Sequence, residues 1–224
     1  MNKKHALGIL GADKFYHDLW WKAQRKENVI PKQSYELETI FVHIPKTAGT
    51  SVFRALDIVP CSDTHAPISA YRWHDPGLHK RAFKFSIVRN PWDRFVSSFF
   101  FLRDYTTWDI QKKWAAEYIR GEHFNEFVKK MLSSRYLMSA VKSERFFWPQ
   151  CYWLDGGVDK VYSFENLNDG IVDISKKLGI CGPNEMPHER KGARKNYREM
   201  YDDTSLNLVA DLYADDVREF GYEF

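Results

Sequence analysis

Cysteine is scarce in this chain. Cys61, Cys151 and Cys181 are scattered, odd in number and without C-x-x-C spacing. Neither a disulfide framework nor a cysteine zinc site is expected, and a reducing, cytoplasmic-type setting is the simplest fit. Long apolar runs are missing too. The N-terminal stretch Ala6 to Leu10 is too short for the core of a signal peptide, and no segment reaches the roughly 18 apolar residues of a bilayer span. A soluble, unprocessed chain with no integral membrane contact is therefore expected. A dominant charge is also lacking. The 33 Lys+Arg against 30 Asp+Glu leave a net +3, and without clustering so small an excess does not point to nucleic acid. No repeat, low-complexity tract or Gly/Ser linker interrupts the 224 residues. They read as one domain, 1–224, with 1–37 as an N-terminal helical extension.

What the chain does have is material for a core: 44% hydrophobic and 28% charged residues, with 8 Trp, 12 Tyr and 16 Phe. Rings in that number either fill a core or line a site for sugar faces or an adenine base. Phe15, Leu19 and Trp20 sit at helical spacing before Pro31. Thr39 to Ile44 is a nearly continuous β-favouring run, as in a buried parallel strand. A second strand is predicted at Phe83–Val88 and a third from Val158 to Phe164. After the second strand, Asn90 suits a helix N-cap, Pro91 the first helical position and Asp93 a capping box, with Phe95, Val96, Phe99 and Leu102 facing inward. Further helices are predicted through Phe124, Phe127, Val128, Met131 and Leu132, through Ile171, Ile174 and Leu178 before Gly179, and as one continuous helix from Ser205 to Phe220. Strands alternating with helices predict an α/β fold, a mainly parallel central sheet flanked by helices.

Two places carry chemistry. After the first strand, Lys46-Thr47-Ala48-Gly49-Thr50-Ser51 is a turn of small residues that lets backbone N–H groups approach an anion, with Lys46 adding a full charge. The residues do not fit G-x-x-x-x-G-K-[ST], since the Lys precedes the Gly, and no acidic strand end offers itself to Mg²⁺. A standard NTPase is disfavoured and no metal is expected. The alternative is an ordinary strand-to-helix turn with a solvated Lys. At the end of the second strand stands Arg89, with Ser97 eight residues on. Here the capping residues occupy much of the helix start, so an anion would rely on the Arg89 fork and the Ser97 hydroxyl. The alternative is that Arg89 pairs with Asp93 and Ser97 simply packs.

In order, HIPKTAGTS after a strand and then FSIVRNPWDRFVSSF resemble the carbohydrate sulfotransferase family that includes the heparan sulfate 2-O-sulfotransferases and bacterial relatives. Ser163-Phe164-Glu165-Asn166-Leu167 and the stretch from Pro187 through Tyr197 and Tyr201 to Phe224 extend the similarity, which covers roughly residues 38 to 224. The resemblance implies a P-loop nucleotide-kinase-like sulfotransferase fold and the donor 3′-phosphoadenosine 5′-phosphosulfate (PAPS), leaving PAP as product. It implies that the Lys46–Ser51 turn holds the 5′-phosphosulfate and that Arg89 with Ser97 holds the 3′-phosphate. Such enzymes often close a basic loop over the nucleotide, which makes Arg190, Lys191, Arg194 and Lys195 candidates; otherwise that run is a solvated loop.

Sulfuryl transfer to a hydroxyl needs a base, and a His, with an ordinary pKa of about 6.5, suits the role. Of eight histidines, His5 and His17 lie outside the resemblance, and His43 within the first strand reads as structural. His65, in the loop Ser62–Pro67, corresponds to a region where relatives carry a catalytic-type His and is the expected base, with His74 in reserve. Lys46 and the turn amides would stabilise charge on the leaving phosphate. The expected acceptor is a hydroxyl, on a carbohydrate. Trp73, Tyr105, Trp108, Trp114, Phe146, Phe147, Trp148 and Trp153 either stack on sugars or fill the core, and the segment Tyr105–Trp153 is where acceptor choice is expected. Arg103, Lys112, Lys113 and Arg145 would suit an acidic polysaccharide. Two other functions compete: a kinase-like ATP phosphotransferase, and a nucleotide- or carbohydrate-binding protein without turnover. Oligomeric state is not legible.

Overall fold

Three runs of β-branched and aromatic residues pair as strands β1 (Thr39–Val42), β2 (Phe83–Val88) and β3 (Lys160–Ser163), in the order β1-β2-β3 with both pairings parallel. The computed structural model describes residues 29–61, 65–180 and 196–224. The N-terminal helical pattern and the 190–195 basic run lie outside them. Helices follow in chain order: α1 (Lys32–Glu36), α2 (Gly49–Ala55), α3 (Ile68–His74), α4 (Pro76–Arg81), α5 (Pro91–Phe100), α6 (Asp109–Tyr118), α7 (Phe124–Ser133), α8 (Arg135–Ser143), α9 (Gln150–Trp153), α10 (Leu167–Leu178), α11 (Asp203–Leu212) and α12 (Ala214–Phe220). The α/β class and parallel sheet are those read from the sequence. The described residues group into two compact units, one of 29–89 and 150–180 and the other of 90–149 and 196–224.

The first unit holds the sheet. All four residues of β1 are buried, which is why the run is apolar throughout rather than alternating. Phe41 faces Phe85 across the β1–β2 ladder, their rings stacked at 5.0 Å. Against this pair pack Val52 and Phe53 of α2, Leu56 at its C-cap, and Ile171 and Ile174 of α10. Truncating Phe41 to Ala removes a ring from this core and should cost about 3–5 kcal/mol. β1 stops at Val42, short of the predicted Ile44. There the Ser86 hydroxyl donates to the Val42 carbonyl (2.7 Å), so the ladder closes on a side chain. β3 is likewise shorter than predicted, because Phe164 begins a single 3₁₀ turn, Phe164–Asn166.

The second unit is helical, and its core is aromatic: Phe95, Phe99, Phe127 and Phe147 are fully buried with Tyr213. Asn90 caps α5 as predicted, its Oδ1 accepting from the Trp92 and Asp93 amides with Pro91 at the first position. The predicted continuous helix from Ser205 to Phe220 is two helices. The chain breaks at Tyr213 (φ −110°, ψ 26°), whose buried phenol donates to the Phe147 carbonyl (2.8 Å). Burial of that one side chain overrides a periodicity that by itself continues. Arg94, fully buried, donates to the carbonyls of Phe146 and Trp148 and lies over the Tyr213 ring. These are polar ties that hydrophobic spacing does not signal.

Candidate active site

The turn leaving β1 is built against backbone preference. Lys46 (φ 71°) and Ala48 (φ 64°) both adopt the left-handed conformation, which costs a non-glycine residue about 1–3 kcal/mol and persists only where the surroundings enforce it. Thr47 supplies part of that enforcement: fully buried, it donates its hydroxyl to the Ile44 carbonyl (2.9 Å). Left-handed residues on either side of Thr47 give the kind of backbone that turns N–H groups to one side as an anion nest. Ala48 then stands at the N-cap of α2 with no side-chain cap bond.

Gly49, read from the sequence as a turn residue, has a different role. Its φ is not in the left-handed region; what it supplies is space. A Cβ there would lie 1.8 Å from Nε2 of His43, so the imidazole rests directly on the glycine. The His43 ring also stacks on Phe41 (5.6 Å between centroids) and meets Phe53 edge-on (5.4 Å). His43 thus belongs to the turn rather than to the strand in which it was read.

His65 joins this cluster. Its ring is 4.2 Å from that of His43, and its Nδ1 is 3.1 Å from the His43 carbonyl oxygen. Trp153 of α9 stands edge-on at 6.5 Å, and His65 keeps 8% of its surface exposed. His74, the reserve candidate, closes α3 and is half-buried.

Arg89 comes to the same turn from β2. Its Nη1 donates to the Lys46 carbonyl (3.1 Å), and its guanidinium lies 4.1 Å from the Phe164 ring centroid. Gln150 pins the Arg89 backbone from both sides: Oε1 accepts from the Arg89 N–H (2.8 Å) and Nε2 donates to the Arg89 carbonyl (2.9 Å). Nothing in the sequence pointed to Gln150, which is 61 positions from Arg89. A cavity of about 200 Å³ is lined by His43, Thr50, Phe53, Arg54, Ile58 and Pro60. That is below the usual size of a whole ligand pocket and admits a fragment of one.

Lys46, Thr47, Ala48, Gly49, His65 and Arg89 are therefore brought together within the first unit, with Thr50 and Ser51 opening α2 beside them. Ser97 belongs to α5 in the second unit and is 3% exposed. Arg190, Lys191, Arg194 and Lys195 lie outside the described residues. Of the candidate aromatics, Trp114, Phe146, Phe147, Trp148 and Trp153 are buried, leaving Trp73, Tyr105 and Trp108 exposed. Arg103 is paired with Asp104. Among the described residues no group of three or more His, Cys, Asp or Glu side chains converges as metal ligands would, and no helix is long and apolar enough to cross a membrane.

Compared with known proteins, residues 33–223 match the model of the sulfotransferase family, a span that runs through both compact units. The α/β fold with its parallel sheet agrees with that family. No curated protein and no solved structure matches the chain.

Proposed function

We propose that this chain, which belongs to the sulfotransferase family and so transfers sulfuryl groups, takes its sulfuryl group from PAPS and passes it to a carbohydrate hydroxyl. One observation carries the reading: a left-handed turn with a lysine at its entry, tied through the Lys46 carbonyl to the Arg89 guanidinium. Two cations at one turn suit a ligand with two separated anions, and PAPS carries a 5′-phosphosulfate and a 3′-phosphate. The residues present fit such a group. Lys46 and the amides of Thr47 to Ser51 would take the 5′ end. Arg89 and Ser97 would take the 3′-phosphate, and Arg190, Lys191, Arg194 and Lys195 would close over it.

PAPS supplies an activated sulfur and a phosphate leaving group. His65 takes the proton of the acceptor hydroxyl as that oxygen attacks sulfur, and Lys46 with the turn amides stabilises the charge that develops on the leaving phosphate. The carbohydrate acceptor is supported by the resemblance of both motifs to carbohydrate sulfotransferases and by the exposed rings of Tyr105 and Trp108, which offer faces for sugar stacking within the segment 105–153. We take 1–224 as a single catalytic domain and place it in the cytoplasm, where thiols stay reduced and disulfides are rare.

Calorimetric titration with 3′,5′-ADP, beside ATP and 5′-AMP, tests the donor. Binding of 3′,5′-ADP alone, lost in Arg89→Ala, is the expected result. A preference for ATP would favour the phosphotransferase reading and overturn this one. Binding of 3′,5′-ADP without transfer from PAPS to any of a panel of oligosaccharides would overturn the carbohydrate acceptor, and without transfer to any hydroxyl tried would favour a binding protein.

A further inference from the structure

A general base needs a lone pair on the nitrogen that meets the proton, and an imidazole has two nitrogens that exchange that role. The contact between His65 and His43 decides between them. The partner of His65 Nδ1 is a backbone carbonyl oxygen, 3.1 Å away, and a carbonyl oxygen only accepts. Nδ1 must therefore carry the hydrogen, and in the neutral ring Nε2 holds the lone pair.

What holds the ring there is His43, twice over. Its carbonyl receives the Nδ1 hydrogen, and its imidazole, 4.2 Å away and tilted by 40°, covers the face of the His65 ring. His43 is itself fixed on three sides by Phe41, Phe53 and the bare Cα of Gly49. Both rings are nearly buried, at 8% exposure each, so water competes poorly for either contact. The glycine that begins α2 thus seats the wall against which the base is aligned.

We propose that His43 is a positioning residue that fixes His65 as its Nδ1–H tautomer, with Nε2 the atom that accepts the acceptor's proton. The inference rests on the sulfotransferase reading for its chemistry. Nε2 takes the hydroxyl proton while that oxygen bonds to sulfur. The bond from sulfur to the 5′-phosphate oxygen breaks, and its electron pair leaves on the phosphate. His65 holds the proton at the end of the step, and His43 is unchanged.

The test is long-range proton–nitrogen correlation NMR on the full ¹⁵N-labelled chain, with the His65 signals assigned by their loss in His65→Asn. In the wild type His65 is expected as a single Nδ1–H tautomer; an Nε2–H tautomer would overturn the assignment. His43→Phe keeps a ring against Phe41, Phe53 and Gly49 and should retain the Nδ1–H tautomer. His43→Ala should relax His65 to a mixture. An unaltered single tautomer in His43→Ala would show that the His43 ring plays no positioning part. Should His43→Ala fail to fold, Gly49→Ala displaces the same ring from its other side and is read in the same way. With PAPS and an acceptor in hand, His43→Ala should lower kcat by about tenfold or more with KM for PAPS unchanged, since base catalysis contributes about 10²–10⁴-fold in all; His43→Phe should restore it. The tautomer needs no nucleotide to be read. Failure to bind 3′,5′-ADP would sink the sulfotransferase chemistry and leave the tautomer standing, while a wrong tautomer would sink only the role of His43.

Discussion

Two strand-to-helix turns lead out of neighbouring parallel strands, and they are built in opposite ways. At the end of β2 the chain closes its own helix start: Asn90 accepts from two first-turn amides, Pro91 removes the need for a third, and Asn90 Nδ2 donates onward to the Glu223 carbonyl. At the end of β1 no side chain caps α2. The backbone is held in two left-handed residues, and the glycine is used to admit a ring rather than to turn the chain. One turn spends its residues on local satisfaction. The other accepts strain, which is the pattern expected where a ligand completes the structure.

The widest separation between the turns should come from charge. Lys46→Ala should lower kcat by about 10²–10³-fold, the usual cost of losing one group that stabilises developing charge, with little change in unfolding temperature; steady-state transfer from PAPS measures it. Gly49→Ala comes next. The added methyl must push the His43 ring aside, costing about 1–3 kcal/mol in stability as overpacking and about 100-fold in turnover from misplacement. Denaturant unfolding beside kinetics would show both. Asn90→Ala should do the reverse of Lys46→Ala: a loss of about 1–2 kcal/mol of stability from the cap, read by urea unfolding. Ala48→Gly relieves a left-handed alanine, and its unfolded chain gains entropy in return. A change within about 1 kcal/mol is expected, and a large loss would mean that the alanine methyl itself packs.

A smaller effect belongs to the second unit alone. Burial pushes the Glu144 carboxyl above its ordinary value, although the Phe146 amide and the nearby Arg145 work the other way. The unfolded chain then releases this proton first, so as pH rises through the ordinary glutamate range of about 4.3 the folded state loses stability relative to it. Glu144→Gln removes that loss. Its advantage in thermal unfolding should be absent at low pH and appear towards neutrality.

Much of this contrast was legible in the residues. Asn90-Pro91 announces its cap, β2 runs from Phe83 to Val88 as predicted, and the apolar spacing of α7 and the Gly179 stop of α10 are local signals met locally. Lys46, Arg89 and His65 were singled out, and the structure gathers them at one turn. What escaped depends on contacts distant in sequence. Nor did the sequence show that the His43 ring packs on Gly49, six residues on across the turn. Gln150 reaches Arg89 from a helix whose place in the fold no spacing reveals, and Tyr213 breaks a helix to reach Phe147. Periodicity records which face of an element is buried, not which carbonyl a buried polar group will find.

We propose that the β1 turn, and not the Asn90 cap, receives the 5′ end of the donor. Parallel calorimetric titrations of 3′,5′-ADP into the wild type, Lys46→Ala and Asn90→Ala test it most directly. The expected result is affinity reduced by about tenfold or more, some 1.4 kcal/mol, in Lys46→Ala and preserved in Asn90→Ala at a temperature where both are folded. Equal affinities in all three, or a loss confined to Asn90→Ala, would contradict the account.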